Sequence, residues 1–153
     1  MPVNRMSLCN VPRDIPINWL DFIDQKHPSV IELEMFIDSL SLPARLLLLG
    51  KIQDLKARAA LGLIPIESRE FEPITLYPEL FELKWQFNTS SGRKVQIRQY
   101  HAEPNVIPKI LVSLHIHIKR ILSEQSIVTE LQNIEISYAK FRYEAGRKQN
   151  WVV

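Results

Sequence analysis

Residues 80–119 decide the fold of this chain, and they read LFELKWQFNTSSGRKVQIRQYHAEPNVIPKILVSLHIHIK. Apolar and polar residues alternate in three runs, the pattern of β-strands with one buried and one polar face. Residues 89–92 and 101–105 separate the runs and are rich in turn formers. The stretch therefore predicts three antiparallel strands. Their buried face should hold Phe81, Leu83, Trp85, Val95, Ile97, Val112, Leu114, Ile116 and Ile118.

The opposite face of these strands would collect polar side chains with an excess of positive charge. Its members are Glu82, Lys84, Lys94, Gln96, Arg98, Tyr100, His115, His117 and Lys119. Lysine and arginine neutralise phosphate charge, so a phosphodiester backbone is the natural ligand, and Tyr100 could stack on a base. The simpler interpretation is a face that is polar because it is wet. The one-sided sign of the charge argues against that interpretation.

Upstream of the strands the apolar period becomes that of a helix. The repeats are Val30, Leu33, Ile37 and Leu40, then Leu46, Leu48, Leu49, Ile52, Leu55 and Ala59. Ser29 can cap the first helix, Pro43 suits the first turn of the second, and Gly62 suits its left-handed stop. The pattern predicts a helical hairpin that covers the apolar face of the sheet.

Two further elements complete the predicted order β-α-α-β-β-β-α. Residues 17–23 are rich in β-formers and predict a first strand. Helical spacing relates Leu131, Ile134, Tyr138 and Phe141, with a capping box at Thr129 and a stop at Gly146.

We therefore expect an α+β domain over residues 17–146, with a small antiparallel sheet covered on one face by the hairpin. An irregular, proline-containing arm would precede it at residues 1–16. A tail would follow at residues 147–153, with Trp151 loose or bound to a partner.

Composition places the chain among globular proteins and excludes several classes. It has 153 residues, of which 46% are hydrophobic and 24% charged, and its net charge is +2. Cys9 is the single cysteine, so no intrachain disulfide forms and a reducing, cytoplasmic setting is expected. We find no secretory signal and no apolar run long enough for a bilayer. Glycine-rich nucleotide motifs do not occur, so we expect no cofactor.

Two histidines and the single cysteine are the candidates for metal binding and for nucleophilic catalysis. His115 and His117 would share a strand face and could bind a metal ion, but we expect no Cys and no further His near them, and the cationic neighbours would repel the ion. We expect no metal and two solvated histidines, at least one of them neutral near pH 7. Cys9 has no organised base in view, so nucleophilic catalysis is not expected.

Several short motifs together resemble the RelE/ParE superfamily of toxins, most closely its HigB-like, phage-derived branch. They are LFELK at 80–84, Gly-Arg at 92–93 followed by IRQY at 97–100, LHIHIKR at 114–120, and EISYA at 135–139. The resemblance covers about residues 18–145 and implies a RelE-like fold. The chain departs from the family pattern at Lys84, where arginine is usual, and at His117, where an aromatic residue is usual.

The resemblance implies the toxin of a type II toxin-antitoxin system that inhibits growth as a metal-independent, ribosome-dependent mRNA endoribonuclease. Arg98 would clamp the scissile phosphate, His115 or His117 would serve as base or acid, Lys119 would add positive charge and Tyr100 would orient the nucleotide. The RNA-binding residues would be Lys84, Arg93, Lys94 and Arg120.

The implied partners are the ribosome, its mRNA and a cognate antitoxin with a helix-turn-helix domain, with no membrane. Members of the family differ in activity, so a second hypothesis stays open. It is a non-enzymatic binding module, a gyrase inhibitor or regulator of a partner protein, that acts through a hydrophobic helix surface.

Overall fold

The alternating stretch forms three long strands, as its period predicts. The computed structural model describes residues 6–120 and 124–152, so residues 1–5 of the predicted arm and residue 153 of the predicted tail lie outside it. A short 3-10 helix (Leu8–Asn10) comes first. The remaining elements in chain order are β1 (Asn18–Asp21), α1 (Pro28–Ser39), α2 (Leu42–Ala60), β2 (Phe71–Pro73), β3 (Leu80–Asn88), β4 (Lys94–Ala102), β5 (Ile110–Lys119) and α3 (Gln125–Lys148).

The five strands form one mixed sheet in the order β1-β5-β4-β3-β2. Neighbours from β2 to β5 are antiparallel, whereas β1 runs parallel to β5, with Asn18 opposite Ile110. The α+β class is confirmed, but the purely antiparallel sheet and the predicted element order are wrong. The three residues of β2 include Pro73 and are too few to show an alternating pattern. A parallel pairing leaves no local turn signal, because its strands are joined through distant elements.

Helices cover both faces of the sheet, not one. The predicted hairpin, α1 and α2, packs Leu33, Leu48, Leu55 and Ala59 on one face against Leu83, Trp85, Phe87 and Ile97. Helix α3 covers part of the other face. The hydrophobic core on this second face consists of Phe22, Ile74, Leu80, Tyr100, Ala102, Val112, Leu114, Ile136, Ala139 and Trp151.

A bulge between β4 and β5 changes which side chains share a face. Tyr100 lies opposite His115, but the next residue, His101, lies opposite Ser113, so Leu114 is the extra residue. The predicted placement of Val112 and Leu114 beside Phe81 is therefore wrong, since both pack with Tyr100 under α3. An alternating pattern cannot predict this, because one inserted residue turns the side chains on the far side of the bulge to the opposite face of the sheet.

The strand ends and helix starts also differ from the predictions in detail. His101 lies inside β4 and not in the following turn. The side chain of His27, not Ser29, caps α1 by accepting from the Ser29 N–H at 3.1 Å. Helix α3 begins at Gln125, so Thr129 lies within it and forms no cap. The left-handed stop at Gly62 is confirmed, with φ of 69°.

Trp151, near the C-terminus, packs on the domain. Trp151 is 8% exposed and contacts the rings of Phe22 and Tyr143, so the expectation of a loose residue is wrong. Gly146 lies within α3, and a Cβ there would come within 2.2 Å of the Trp151 ring. Its missing side chain makes room for the indole and does not mark the end of the helix.

Several residues assigned to buried helix stripes are exposed. On α2, Leu46 and Leu49 face solvent, and on α3 the same holds for Leu131, Ile134 and Phe141. Helix α3 instead buries Val128, Ile136 and Ala139. Its inward face also carries polar residues that find partners on the sheet, which hydrophobic spacing alone does not reveal.

Candidate functional site

The polar side of β4 and β5 forms a buried cluster beneath α3, and we call it the β5–α3 cluster. It comprises Glu82, Tyr100, His115, His117, Gln132 and Glu135. His115 is fully buried and His117 is 3% exposed. The predicted solvated histidines are therefore wrong, because α3 covers the half of the polar face in which they lie.

His117 and Tyr100 form a neutral pair within this cluster. Nδ1 of His117 lies 3.1 Å from the Ile118 carbonyl, which can only accept, so this nitrogen carries the proton. Nε2 then accepts from the Tyr100 hydroxyl at 2.9 Å. Burial lowers the pKa of His117 to about 4. Burial also raises the pKa of Tyr100, and the nearby Glu82 carboxylate raises it further. His117 is thus an uncharged imidazole at neutral pH.

A second set of contacts centres on Glu135 of α3, which contacts both β5 and α1. Its carboxylate contacts His115 Nε2 and accepts from Ser29 Oγ at 2.6 Å. Burial opposes ionisation, but the hydrogen bonds from His115 and Ser29 prevail and lower the pKa of Glu135 to about 2. The His27 ring lies 4.7 Å from the His115 ring, so the expectation of no further histidine near His115 is wrong. Burial, followed by the charge of His115, lowers the pKa of His27.

The cations predicted for this face lie on the part of the sheet beside the cluster. Arg98 donates to Gln96 Oε1 at 2.9 Å, while its buried Nε has no partner within the described residues. Lys119 is partly buried, and burial followed by the charge of Arg98 lowers its pKa. Lys84 contacts Glu72 and lies 3.9 Å from Glu82, so much of its charge is neutralised. Arg98 and Lys119 are the cations left nearest the cluster.

A pocket of about 170 Å³ opens where α1, the end of β5 and α3 meet. His117, Lys119 and Glu135 line it, and Arg120 lies at its rim in an ion pair with Glu32 at 2.6 Å. The pocket places the edge of the buried histidine beside a lysine that reaches solvent. Glu32 also lines the pocket, so an anion bound there would meet Lys119 and the neutral His117 between two carboxylates.

Most of the predicted site residues come together. Arg98, Tyr100, His115, His117 and Lys119 share one side of β4 and β5. Arg93 and Lys94 do not join them, since both are exposed at the turn between β3 and β4.

Sequence reasoning missed the partners supplied by other elements, which are His27, Ser29, Gln132 and Glu135. Glu135 stood in a recognised motif, and the others gave no signal, because only the docking of α3 and α1 on the sheet assigns them a partner.

A separate buried cluster lies on the hairpin side of the sheet. Cys9 Sγ is 3.6 Å from His101 Nε2, so the expectation of no base near this cysteine is wrong. Glu103 completes the group, with Oε2 at 2.9 Å from the same nitrogen. Regular alternation along β4 places His101 on this face, opposite to that of Tyr100. The contact itself depends on the N-terminal segment, and the sequence carries no mark of it.

Membrane and family comparisons add two findings. Across residues 6–120 and 124–152, no helix is long and apolar enough to cross a bilayer. No family model matches this chain, and comparisons with curated proteins and with solved structures return no match.

Proposed function

We propose that this chain is a RelE-like toxin of a type II toxin-antitoxin system that cuts mRNA on the ribosome without a metal ion. The observation that supports this most strongly is the pocket between β5 and α3. It sets Lys119 beside a histidine that is neutral at pH 7, with Arg98 opposite His117 on the adjacent strand. The resemblance of the strand motifs to the toxin family supports the same function.

The cleavage needs three contributions from the protein. A base must remove the proton from the 2′-hydroxyl of the RNA as that oxygen bonds to the phosphorus. His117 can accept it at Nε2, either after Tyr100 moves aside or with the Tyr100 hydroxyl passing the proton on. Arg98 and Lys119 stabilise the charge that grows on the phosphate. The bond from phosphorus to the 5′-oxygen then breaks, and that oxygen takes a proton from Lys119 or water.

Access to His117 sets a condition on this mechanism. Because His117 is 3% exposed, the RNA must enter between β5 and α3. The polar contacts that hold α3 over this part of the sheet include Gln132 to Glu82 at 3.1 Å and the Glu135 pairs with His115 and Ser29. His115 is fully buried behind them, so we assign it a positioning role through Glu135 and not a contact with RNA.

Primer extension on a defined mRNA, with and without ribosomes, tests the proposal. We expect cuts only in the reactions that contain ribosomes. The ribosome-free reactions, which are run in EDTA, should show none. Arg98→Ala and His117→Gln should each lower the cleavage rate about 100-fold or more.

Lys51→Ala removes an exposed cation from α2, on the other side of the sheet, and serves as the matched control. The proposal fails if both site variants, shown to be folded, cut as fast as this control.

The second candidate is a binding module without chemistry, and the surface of α2 favours it. Leu42, Leu46 and Leu47 are 62%, 61% and 58% exposed, which is unusual for a group of large apolar residues on one helix. This surface could contact a gyrase-like target, a regulated protein or the antitoxin. Growth arrest that survives His117→Gln but not the double variant Leu46→Asp, Leu47→Asp would favour the binding module.

A further inference from the structure

A buried group of three potential metal ligands lies where the N-terminal segment meets β4. We call it the Cys9 cluster, and it consists of Cys9, His101 and Glu103. Cys9 and His101 are fully buried, and the Glu103 side chain is 7% exposed. The mRNA cleavage proposed above uses none of the three.

The donor atoms have the separations of a tetrahedral metal site. Sγ to Nε2 is 3.6 Å, Sγ to Oε2 is 3.7 Å and Nε2 to Oε2 is 2.9 Å. Zinc bonds of about 2.3 Å to sulfur and about 2.0 Å to nitrogen or oxygen place tetrahedral ligands about 3.3–3.6 Å apart. Movements of a few tenths of an ångström would therefore bring all three donors onto one ion.

The surroundings of the cluster fix two of these donors in place. The Glu103 carboxylate accepts from the Leu8 N–H at 2.8 Å and from the Ser7 hydroxyl. The His101 ring is stacked on Phe81 at 5.5 Å and meets the edge of Trp19 at 5.3 Å. Outer contacts of this kind orient metal ligands and strengthen their binding.

The charges also match a divalent ion. A thiolate, a carboxylate and a neutral imidazole together carry two negative charges, which one divalent cation neutralises in a buried site. Glu103 also lines a surface pocket with Met6, Glu79 and Tyr143, which offers the ion an entry and a water as fourth ligand.

A nucleophilic triad is the main competing interpretation, and the geometry argues against it. In a triad the acid holds one imidazole nitrogen and the nucleophile contacts the other. Here Cys9 and Glu103 approach the same nitrogen, Nε2. Cys9 is also fully buried, so no substrate reaches its sulfur.

We propose that Cys9, His101 and Glu103 bind one zinc-type divalent ion that ties the N-terminal segment to the end of β4. Cys9 and His101 are 92 positions apart in the sequence, so the ion would link two distant parts of the chain. This inference does not depend on the proposed cleavage of RNA.

Cobalt(II) titration of the metal-stripped full chain tests the site. We expect a thiolate-to-cobalt charge-transfer band in the near ultraviolet that saturates at one ion per chain and disappears when zinc is added. Because Cys9 is the single cysteine, the band can arise nowhere else. Cys9→Ser should abolish the band, and Ser7→Ala should weaken zinc binding about 10-fold.

His27→Ala provides the matched control, since His27, His115 and Glu135 form the other group with suitable donor spacing within residues 6–120 and 124–152. This variant should keep the band and the zinc-dependent rise in unfolding temperature, whereas folded Cys9→Ser should lose both. The proposal is overturned if folded wild-type protein gives no band in excess cobalt. It is also overturned if zinc stabilises Cys9→Ser as much as the wild type.

Discussion

Two buried histidines, one on each face of the sheet, are held in opposite states of charge. His117 lies beside Tyr100 and a backbone carbonyl, and burial lowers its pKa to about 4. His101 lies beside Cys9 and Glu103, which outweigh its burial and raise its pKa to about 9. Both side chains are at least 97% buried. Depth alone does not set the charge of a histidine, because a partner of opposite charge can reverse the effect of burial.

The comparison also separates two roles. A neutral imidazole beside a cationic pocket suits proton transfer at pH 7. A charged imidazole between a thiol and a carboxylate suits a structural contact, or a site where a metal ion replaces the proton. The following predictions are made for metal-free protein in EDTA, and each tests one side of this contrast.

The largest expected effect is on the His101 side. Glu103→Ala removes the carboxylate that pairs with buried His101 and leaves the Leu8 N–H without its acceptor. Breaking a buried ion pair costs about 3–5 kcal/mol, so the free energy of unfolding in urea at pH 7 should fall by about that amount. Glu130→Ala, at an exposed position on α3, should cost almost nothing. A loss below about 1 kcal/mol in Glu103→Ala would mean that Glu103 does not form a buried ion pair with His101.

Alkaline pH should weaken the same side. The pKa of folded His101 is about 9 against about 6.5 when unfolded, so the native state holds its proton more tightly. The resulting stability is fully present below about pH 6.5 and is lost as the pH rises through about 9. The loss should approach about 3 kcal/mol in urea unfolding across this range. His101→Gln should flatten this slope, and an unchanged slope would contradict the assignment.

Acid pH should weaken the His117 side. The unfolded chain binds a proton at His117 below about pH 6.5, whereas the native state resists it until about pH 4. Stability is therefore present above about pH 6.5 and falls by up to about 3 kcal/mol as the pH drops toward 4. The Glu135 contribution is lost lower, between about pH 4.5 and 2. In His117→Gln the upper part of the acid slope should become smaller, with a remainder from His27, whose pKa is also lowered, while the lower part remains.

The smallest expected effect separates the contributions of burial and of the Tyr100 hydrogen bond to the low pKa of His117. Tyr100→Phe removes the hydroxyl that donates to His117 Nε2 and should lower the free energy of unfolding by about 1–3 kcal/mol. Because burial is the main cause of the low pKa, an NMR titration of His117 should still give a value well below 6.5. A return to an ordinary pKa in the folded variant would show that the tyrosine, not burial, keeps the imidazole neutral.

Local patterns in the sequence predict the parts of the fold with a regular period. Alternation identifies β3 to β5, helical spacing identifies α1 and α2, and Gly62 ends α2 as expected. The same alternation misplaces Leu114, because a bulge is invisible to a rule that assumes a period of two. It also cannot show that β1 joins the sheet in parallel, since that pairing depends on residues about ninety positions away.

The candidate site was predicted from the polar face of the strands alone. That prediction therefore could not include the residues that the helices contribute. Arg98, Tyr100, His115, His117 and Lys119 share a side because strand geometry requires it. Their burial and their charge depend on Glu135 and Gln132, which α3 brings over the sheet. The Cys9 cluster combines the N-terminal segment with the end of β4 and the residue that follows it, so no single stretch of sequence contains it.

The parallel pairing of β1 with β5 has a consequence for synthesis of the chain. Asn18 leaves the ribosome long before its partner Ile110 is made. At roughly 5–20 residues per second, β1 waits roughly 5–20 s for the strand that completes it. The pairing of β1 with β5 therefore forms late in translation. In a chain that stops before residue 110, β1 has no neighbouring strand. Such long-range pairing also favours slow folding, because a long loop must close before the contact forms.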